Sequence, residues 1–221
     1  MAEGRLVIGQ RRYSSWSLRG WLAVRLAGLD VEELVIPVSG TGATPAIRAA
    51  SPSGEVPFLE HRGHLIWETL AIAEYCAEIA PALWPEDSAA RAHARAISAE
   101  MHAGFQALRQ MMPMNLGRHA PGLGQTAESL TEIARIEAIW RETRGRFGAG
   151  GSFLFGERFT IADAFYAPVV ARFLSYAPAL GPEARAYAAA IRAFPLIAQW
   201  YDAASAEPAS WRIAKYEADP A

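Results

Sequence analysis

A chain of 221 residues has room for one large domain or two small ones, and a composition of 52% hydrophobic and 20% charged residues excludes disorder as its main state. Twenty-one basic residues against twenty-three acidic ones leave a formal charge of −2, and no Lys/Arg run forms, which argues against a nucleic-acid protein and against a polybasic membrane anchor. The apolar runs fall short of a membrane span, the first residues lead into a short strand and not a signal-peptide core, and one cysteine, Cys76, allows neither an internal disulfide nor a paired zinc motif, so the expectation is a soluble cytoplasmic protein.

Leu6-Val7-Ile8, closed by Gly9, reads as a buried strand. After a polar stretch from Gln10 to Ser17, apolar residues recur at Leu18, Trp21, Leu22 and Leu29 with helical spacing, and Gly28 supplies the stop. Val31 to Val38 is β-branched and predicts a second strand. Gly40, Gly42, Pro45 and Pro52 punctuate residues 39–54 and leave room for a short helix near Ala46–Ala50. Val56–Glu60 and His64–Trp67 predict two brief strands paired antiparallel about the Arg62-Gly63 turn. Ile72, Cys76 and Ile79 then mark a helix. A helix between the first two strands makes them parallel, and the order β-α-β-α-β-β-α is that of the thioredoxin fold.

Beyond residue 80 the texture is helical. Pro81 and Pro85 bracket a short stiff linker. Ile97, Met101, Phe105, Leu108 and Met112 form one long stripe, and Ile133, Ile136, Trp140 and Phe147 a second one after a loop at 113–126. Thr160-Ile161-Ala162-Asp163 predicts a helix start in which Thr160 and Asp163 cap each other. Pro195 suits a first helical position, with Leu196, Trp200 and Ala203 behind it. The expected architecture is an α/β thioredoxin-like domain over 1–80, a linker over 81–87 and an all-helical domain over 88–221.

Three segments carry possible chemistry. In Tyr13-Ser14-Ser15-Trp16-Ser17-Leu18-Arg19, Ser17 is the natural N-cap, which leaves Ser14 and Ser15 just ahead of a helix start, where free amides and the helix dipole favour an anion. A hydroxyl donated to a sulfur there would stabilise a thiolate. A thiol of pKa about 8.5 is roughly 3% ionised at pH 7; lowering it by two units raises that to about 75%, for about 2.7 kcal/mol. Serines before a helix also serve simply as caps and turn formers. In Gly54-Glu55-Val56-Pro57-Phe58-Leu59, proline opens a strand, where it forfeits no ladder bond, and the residues alone favour a trans peptide. In Trp67-Glu68-Thr69-Leu70, the Thr69 hydroxyl and first-turn amides suit a carboxylate and Glu68 suits an ammonium, a grip for the zwitterionic end of an amino acid; the same pair also reads as an ordinary capped helix.

The remaining candidates point to structure. His61 and His64 flank a turn with no further ligands at zinc-like spacing, so no metal site is expected. His93, His102 and His119 read as structural or solvated. Gly148-Ala149-Gly150-Gly151 lacks the strand-then-helix setting of a phosphate loop. Cys76 falls on an apolar stripe and reads as core, and Met111-Met112-Pro113-Met114-Asn115 reads as core or as a pocket lining.

Taken in order, these segments resemble the cytosolic glutathione S-transferases over essentially the whole chain. Tyr-Ser-Ser-Trp-Ser-Leu-Arg is similar to the Ser-Ser-Cys-x-x-Arg signature of the zeta class. Ser-Pro-Ser-Gly-Glu-Val-Pro and Glu-Thr-Leu-Ala-Ile resemble the family's Asn-Pro-x-Gly-x-Val-Pro and Glu-Ser-x-Ala-Ile segments, and Phe-Thr-Ile-Ala-Asp its helix start in the helical domain. The resemblance implies a serine-type transferase with glutathione as co-substrate, no metal, a small electrophile as second substrate, a role in detoxification and a homodimeric assembly. It implies Ser14, or its neighbour Ser15, as the donor to the glutathione thiolate. Val56 would pair through its backbone with the cysteinyl unit beside a cis Pro57, and Glu68 with Thr69 would hold the γ-glutamyl end. Asp163 would be structural. Met112, Asn115, Arg118 and Trp211 would line the electrophile pocket between the domains. Two departures stand out: Trp16 takes the place of the zeta cysteine, and residues 39–46 hold no Lys or Gln for the glycyl carboxylate, which leaves Arg11 or Arg12 for that contact. A glutathione-dependent isomerase of maleylacetoacetate type and a non-catalytic interaction module are the alternatives.

Overall fold

Strand β1 (Gly4–Ile8) is the second strand of a four-stranded mixed sheet; the computed structural model describes residues 2–40 and 44–218. Helix α1 (Ser15–Leu26) carries the chain over to β2 (Glu32–Val35), parallel to β1 with Arg5 opposite Glu32 and Ile8 opposite Val35. After α2 (Pro45–Ala50), β3 (Phe58–His61) pairs antiparallel with β1, and β4 (His64–Trp67) antiparallel with β3, giving the order β2-β1-β3-β4. Arg62 and Gly63 both take positive φ, 51° and 80°, the backbone a two-residue hairpin demands. Helix α3 (Thr69–Ile79) closes this half. The predicted βαβαββα order is the observed one.

Several boundaries move. The first helix begins two residues ahead of the expected cap at Ser17: Ser14 is the N-cap, its Oγ accepting the Ser17 N–H at 3.2 Å, while Ser17 is fully buried and accepts the Gly9 N–H at 2.9 Å. β2 stops at Val35, since Pro37 has no donor for a ladder, and β3 starts at Phe58, after Pro57. The Val56-Pro57 bond is cis, against the trans preference of the residues alone and in line with the resemblance.

A 3-10 turn over Pro81–Leu83 leads to the helical half: α4 (Ser88–Ala103), α5 (Gln106–Met111), α6 (Ala127–Phe147), α7 (Ile161–Tyr176), α8 (Pro182–Ala193), α9 (Pro195–Ser205), a second 3-10 turn over Ala209–Trp211, and α10 (Ala214–Glu217). The single stripe expected from Ile97 to Met112 is broken at Gly104 and Phe105, the latter in the left-handed region at φ 60°. The Arg109 side chain folds back onto the open end of α4, donating to the carbonyls of Gly104 at 3.0 Å and of Met101. That satisfies acceptors a continuous helix would have paired internally.

α7 is apolar on every face and buried nearly throughout, the signature of a central helix. Asp163 at its start is fully buried and accepts four hydrogen bonds: from Leu154 N–H (3.0 Å), Thr160 N–H (2.8 Å), the Thr160 hydroxyl (2.9 Å) and the Tyr187 hydroxyl (3.0 Å). Trp140 of α6 packs against Tyr166, Phe173 and Tyr187, ring centroids 4.7–5.8 Å apart. Trp21 of α1 meets Trp200 of α9 at 5.2 Å, and Arg19 of α1 donates to the Phe165 carbonyl of α7 at 2.9 Å, so α1 is shared by both halves of the core.

Candidate functional site around the starts of α1 and α3

Three loops meet at one end of the sheet: residues 9–14 before α1, residues 51–57 before β3, and Glu68 before α3. Gly20 makes their approach possible. A methyl group on it would lie 2.7 Å from the Pro57 ring, so only glycine lets α1 pack this closely on the cis-proline loop. Trp16, Val56, Pro57, Trp67 and Glu68 thereby line one cavity of about 300 Å³, joined by Ser53 and Glu55. A larger groove, about 880 Å³, runs between residues 82–90 and 147–160 and contains none of the residues that the sequence singles out at the starts of α1 and α3.

Glu68 is the N-cap of α3 and sits at φ 73°, a left-handed conformation that a side chain disfavours and that helices and ligand clamps hold in place. Its Oε1 accepts the Thr69 N–H at 2.7 Å. Thr69 is fully buried, and its hydroxyl has no partner among the described residues. A buried unpaired hydroxyl is costly, and at a helix start it suits an incoming carboxylate oxygen.

Ser14 Oγ donates to Ser17 Oγ at 2.8 Å, so its proton points into the helix and must turn outward to serve a thiolate. Ser15, the first residue of α1, is buried and its hydroxyl takes no hydrogen bond among the described residues. Neither lines the cavity; they precede Trp16, which does. Tyr13 is no competitor, because its hydroxyl donates to Glu217 and accepts the Ile213 N–H at 3.3 Å, and burial followed by that carboxylate raises its pKa.

Trp16 lies between two guanidinium groups, Arg19 at 4.8 Å and Arg109 at 4.7 Å from its ring, with the His102 ring edge-on at 5.1 Å. Arg19 is fully buried, and both its terminal nitrogens lack partners among the described residues; burial first, then the charges of Arg109 and Arg172, push its pKa well below the usual arginine range. The sequence gives Trp16 only as a departure from a signature, and His102 as structural or solvated. Nothing in local spacing signals that residues 16, 68 and 102 converge, since the contact joins α1, the start of α3 and the end of α4.

The four residues expected around an electrophile make the following contacts. Met112 is fully buried in the core, its carbonyl accepting from Arg172 at 2.9 Å. Asn115 is buried and donates to Tyr216 O (2.9 Å) and Glu217 (3.1 Å), and Arg118 donates to Tyr216 O (3.0 Å) and Ala218 O (2.8 Å). The Trp211 carbonyl accepts from Gln10 at 3.4 Å. These residues fasten the segment 207–218, which crosses back to the loop before α1: Glu207 accepts the N–H groups of Arg11 (2.5 Å) and Arg12 (3.2 Å), and Glu217 takes the Arg12 side chain at 3.2 Å. Arg11 pairs with Glu33. Both arginines suggested for a glycyl carboxylate therefore already have carboxylate partners, and of the loop 39–46, residues 41–43 lie outside the described residues. No group of three or more His, Cys, Asp or Glu is placed to hold a metal, and no helix is long and apolar enough to cross a membrane, among the described residues.

Residues 13–79 match the family model of the glutathione S-transferase N-terminal domain, and residues 91–203 that of the C-terminal domain. A probable maleylacetoacetate isomerase of Caenorhabditis elegans is 30% identical over 166 residues, covering 72% of this chain and 74% of its own length. Among solved structures, a maleyl pyruvate isomerase, a bacterial zeta-class transferase, superposes with a TM-score of 0.64 at 22% identity, covering 93% of this chain and 99% of the other. A theta-class transferase of Xanthomonas axonopodis pv. citri with glutathione bound gives 0.61 at 23% identity, covering 94% and 99%.

Proposed function

The chain belongs to the glutathione S-transferase family of enzymes, and from that premise we propose that it grips glutathione at the starts of α1 and α3, holds the sulfur as a thiolate and adds it to a small electrophile between its two domains, a detoxifying conjugation. The observation that carries this reading is the buried, unpartnered Thr69 hydroxyl next in sequence to Glu68, which lines a cavity with Val56 and cis Pro57. A carboxylate and a helix start side by side match the ammonium and carboxylate of a γ-glutamyl group. Val56 offers its backbone to the cysteinyl unit. Ser14, once its proton turns from Ser17, is the donor to sulfur, with Ser15 as the neighbouring candidate. Rate acceleration then comes from positioning and a larger thiolate fraction, with no covalent bond to the protein. We take residues 1–80 as the glutathione-binding domain, 81–87 as linker and 88–221 as the helical domain, working in the cytoplasm, where a single free cysteine is unremarkable. Met112, Asn115, Arg118 and Trp211 are the proposed lining of the electrophile site between the domains. Homodimerisation is supported by the apolar edge of β4, with Leu65 53% and Trp67 47% exposed.

The test is the ultraviolet thiolate absorbance of bound glutathione, titrated from pH 5 to 9 in the native protein, Ser14→Ala and Ser15→Ala. Ionisation below pH 7 that Ser14→Ala alone abolishes bears out the reading and its donor. Loss in Ser15→Ala alone moves the role to Ser15. Absence of binding would hand the chain to the non-catalytic alternative. A second reading, isomerisation by addition and release of the same thiol, is favoured by the isomerase relative; turnover of a cis enone acid without net loss of glutathione would separate it from conjugation.

A further inference from the structure

Glu68 is held from two sides. Its Oε1 is fixed by its own helix through the Thr69 N–H, and its Oε2 lies 2.7 Å from Nε2 of His102, in the last turn of α4. The His102 ring is itself oriented, edge-on to Trp16 at 5.1 Å and 6.3 Å from Phe165. Its Nδ1 is buried with no partner among the described residues. Nε2 is the ring nitrogen that faces the carboxylate, so a proton carried there is attracted to Glu68 across this contact. A carboxylate has about four lone-pair positions. The Thr69 N–H takes one at Oε1, His102 stands against Oε2, and Glu68 is among the residues that line the cavity.

We propose that His102 is a positioning residue for glutathione binding: from the helical domain it locks the Glu68 carboxylate in the orientation that receives the γ-glutamyl ammonium, without touching the ligand. This rests on the glutathione reading above. The consequence is that affinity for a ligand bound by the thioredoxin-like domain depends on the end of α4, and Trp16 serves as the wall that keeps the imidazole in place.

The experiment is a double-mutant cycle read by calorimetric titration with glutathione. His102→Leu is expected to weaken binding about tenfold, in line with losing a polar partner of a charged group, and to raise KM for glutathione while kcat holds. His102→Gln, which keeps a donor, should recover most of the loss. In a Glu68→Gln background the same His102→Leu change should cost little more. An equal loss in both backgrounds, or a loss of kcat in step with stability, would show that His102 acts through the fold and would overturn the proposal, as would unchanged affinity in His102→Leu. If the native protein binds no glutathione, the reading of the site fails first, and that outcome is distinct from a native protein that binds while His102→Leu binds equally well.

Discussion

Ser14 combines two roles that a pair of substitutions separates. As the N-cap of α1 it satisfies the Ser17 N–H, so Ser14→Ala should lower stability by about 1 kcal/mol, while Ser15→Ala, which removes no cap, should leave the urea midpoint nearly unchanged. A change in thiolate ionisation larger than this stability loss would then belong to the chemistry. Asp163 behaves in the opposite manner. Its two oxygens take four donors in a fully buried place, and burial still outweighs them in raising its pKa. Asp163→Ala strands two amides and two hydroxyls, and a loss of about 3 kcal/mol or more in urea unfolding is expected, with glutathione affinity of the folded fraction intact. At Cys76, burial pushes the thiol up to about 12, so alkylation at pH 8 should proceed only as fast as the protein opens. Glu68 and Thr69 can be singled out in the sequence, because helix-start rules operate over neighbouring residues, though the same pair reads equally as a capped helix; Val56 is singled out by the family resemblance. The sequence does not show His102 at Glu68, a contact 34 positions apart that exists only once α4 packs beside α3.

At the scale of elements, the break between α4 and α5 is the clearest case of a feature hidden from periodicity. Apolar residues run on at helical spacing from Ile97 to Met112, and Gly104 weakens a helix without forbidding it. What settles the break is Arg109, far along the next helix, taking the carbonyls that α4 leaves open. Arg109→Leu should therefore speed hydrogen exchange at the amides near residues 101–105 and leave those of α6 and α7 protected. The hairpin of β3 and β4 was legible for the converse reason: Arg62-Gly63 encodes its own turn. A second element-level prediction concerns pH. His93 on α4 bonds Thr143 on α6 at 2.8 Å, and burial, with Arg146 nearby, lowers its pKa below the ordinary 6.5. The unfolded chain then takes up this proton at higher pH than the folded one. Stability is full above about pH 6.5 and declines as pH falls below it. The urea midpoint of native protein should drop between pH 7 and 5, and His93→Gln should flatten that part of the drop.

At the scale of the whole molecule, the exposed pair Leu65 and Trp67 stands on an edge strand, where unpaired backbone and apolar side chains together invite a partner. Sedimentation should give the mass of two chains, and Leu65→Glu the mass of one; a single-chain mass for the native protein would reject the dimer. The residues 207–218 bear on a different matter, the order in which a polypeptide is made. Glu207 grips the amide of Arg11 across 196 positions of sequence, and Glu217 the side chain of Tyr13 across 204. Synthesis runs from Arg11 toward Glu207, so the loop leading into α1 leaves the ribosome long before its fasteners exist. The sheet has its four strands in hand by residue 67, yet this corner stays untied until translation is about 140 residues further on. A nascent chain halted before Glu207 would therefore carry a finished sheet with an unfastened entrance, and the loop before α1 would be tied only once residues 207–217 have been made.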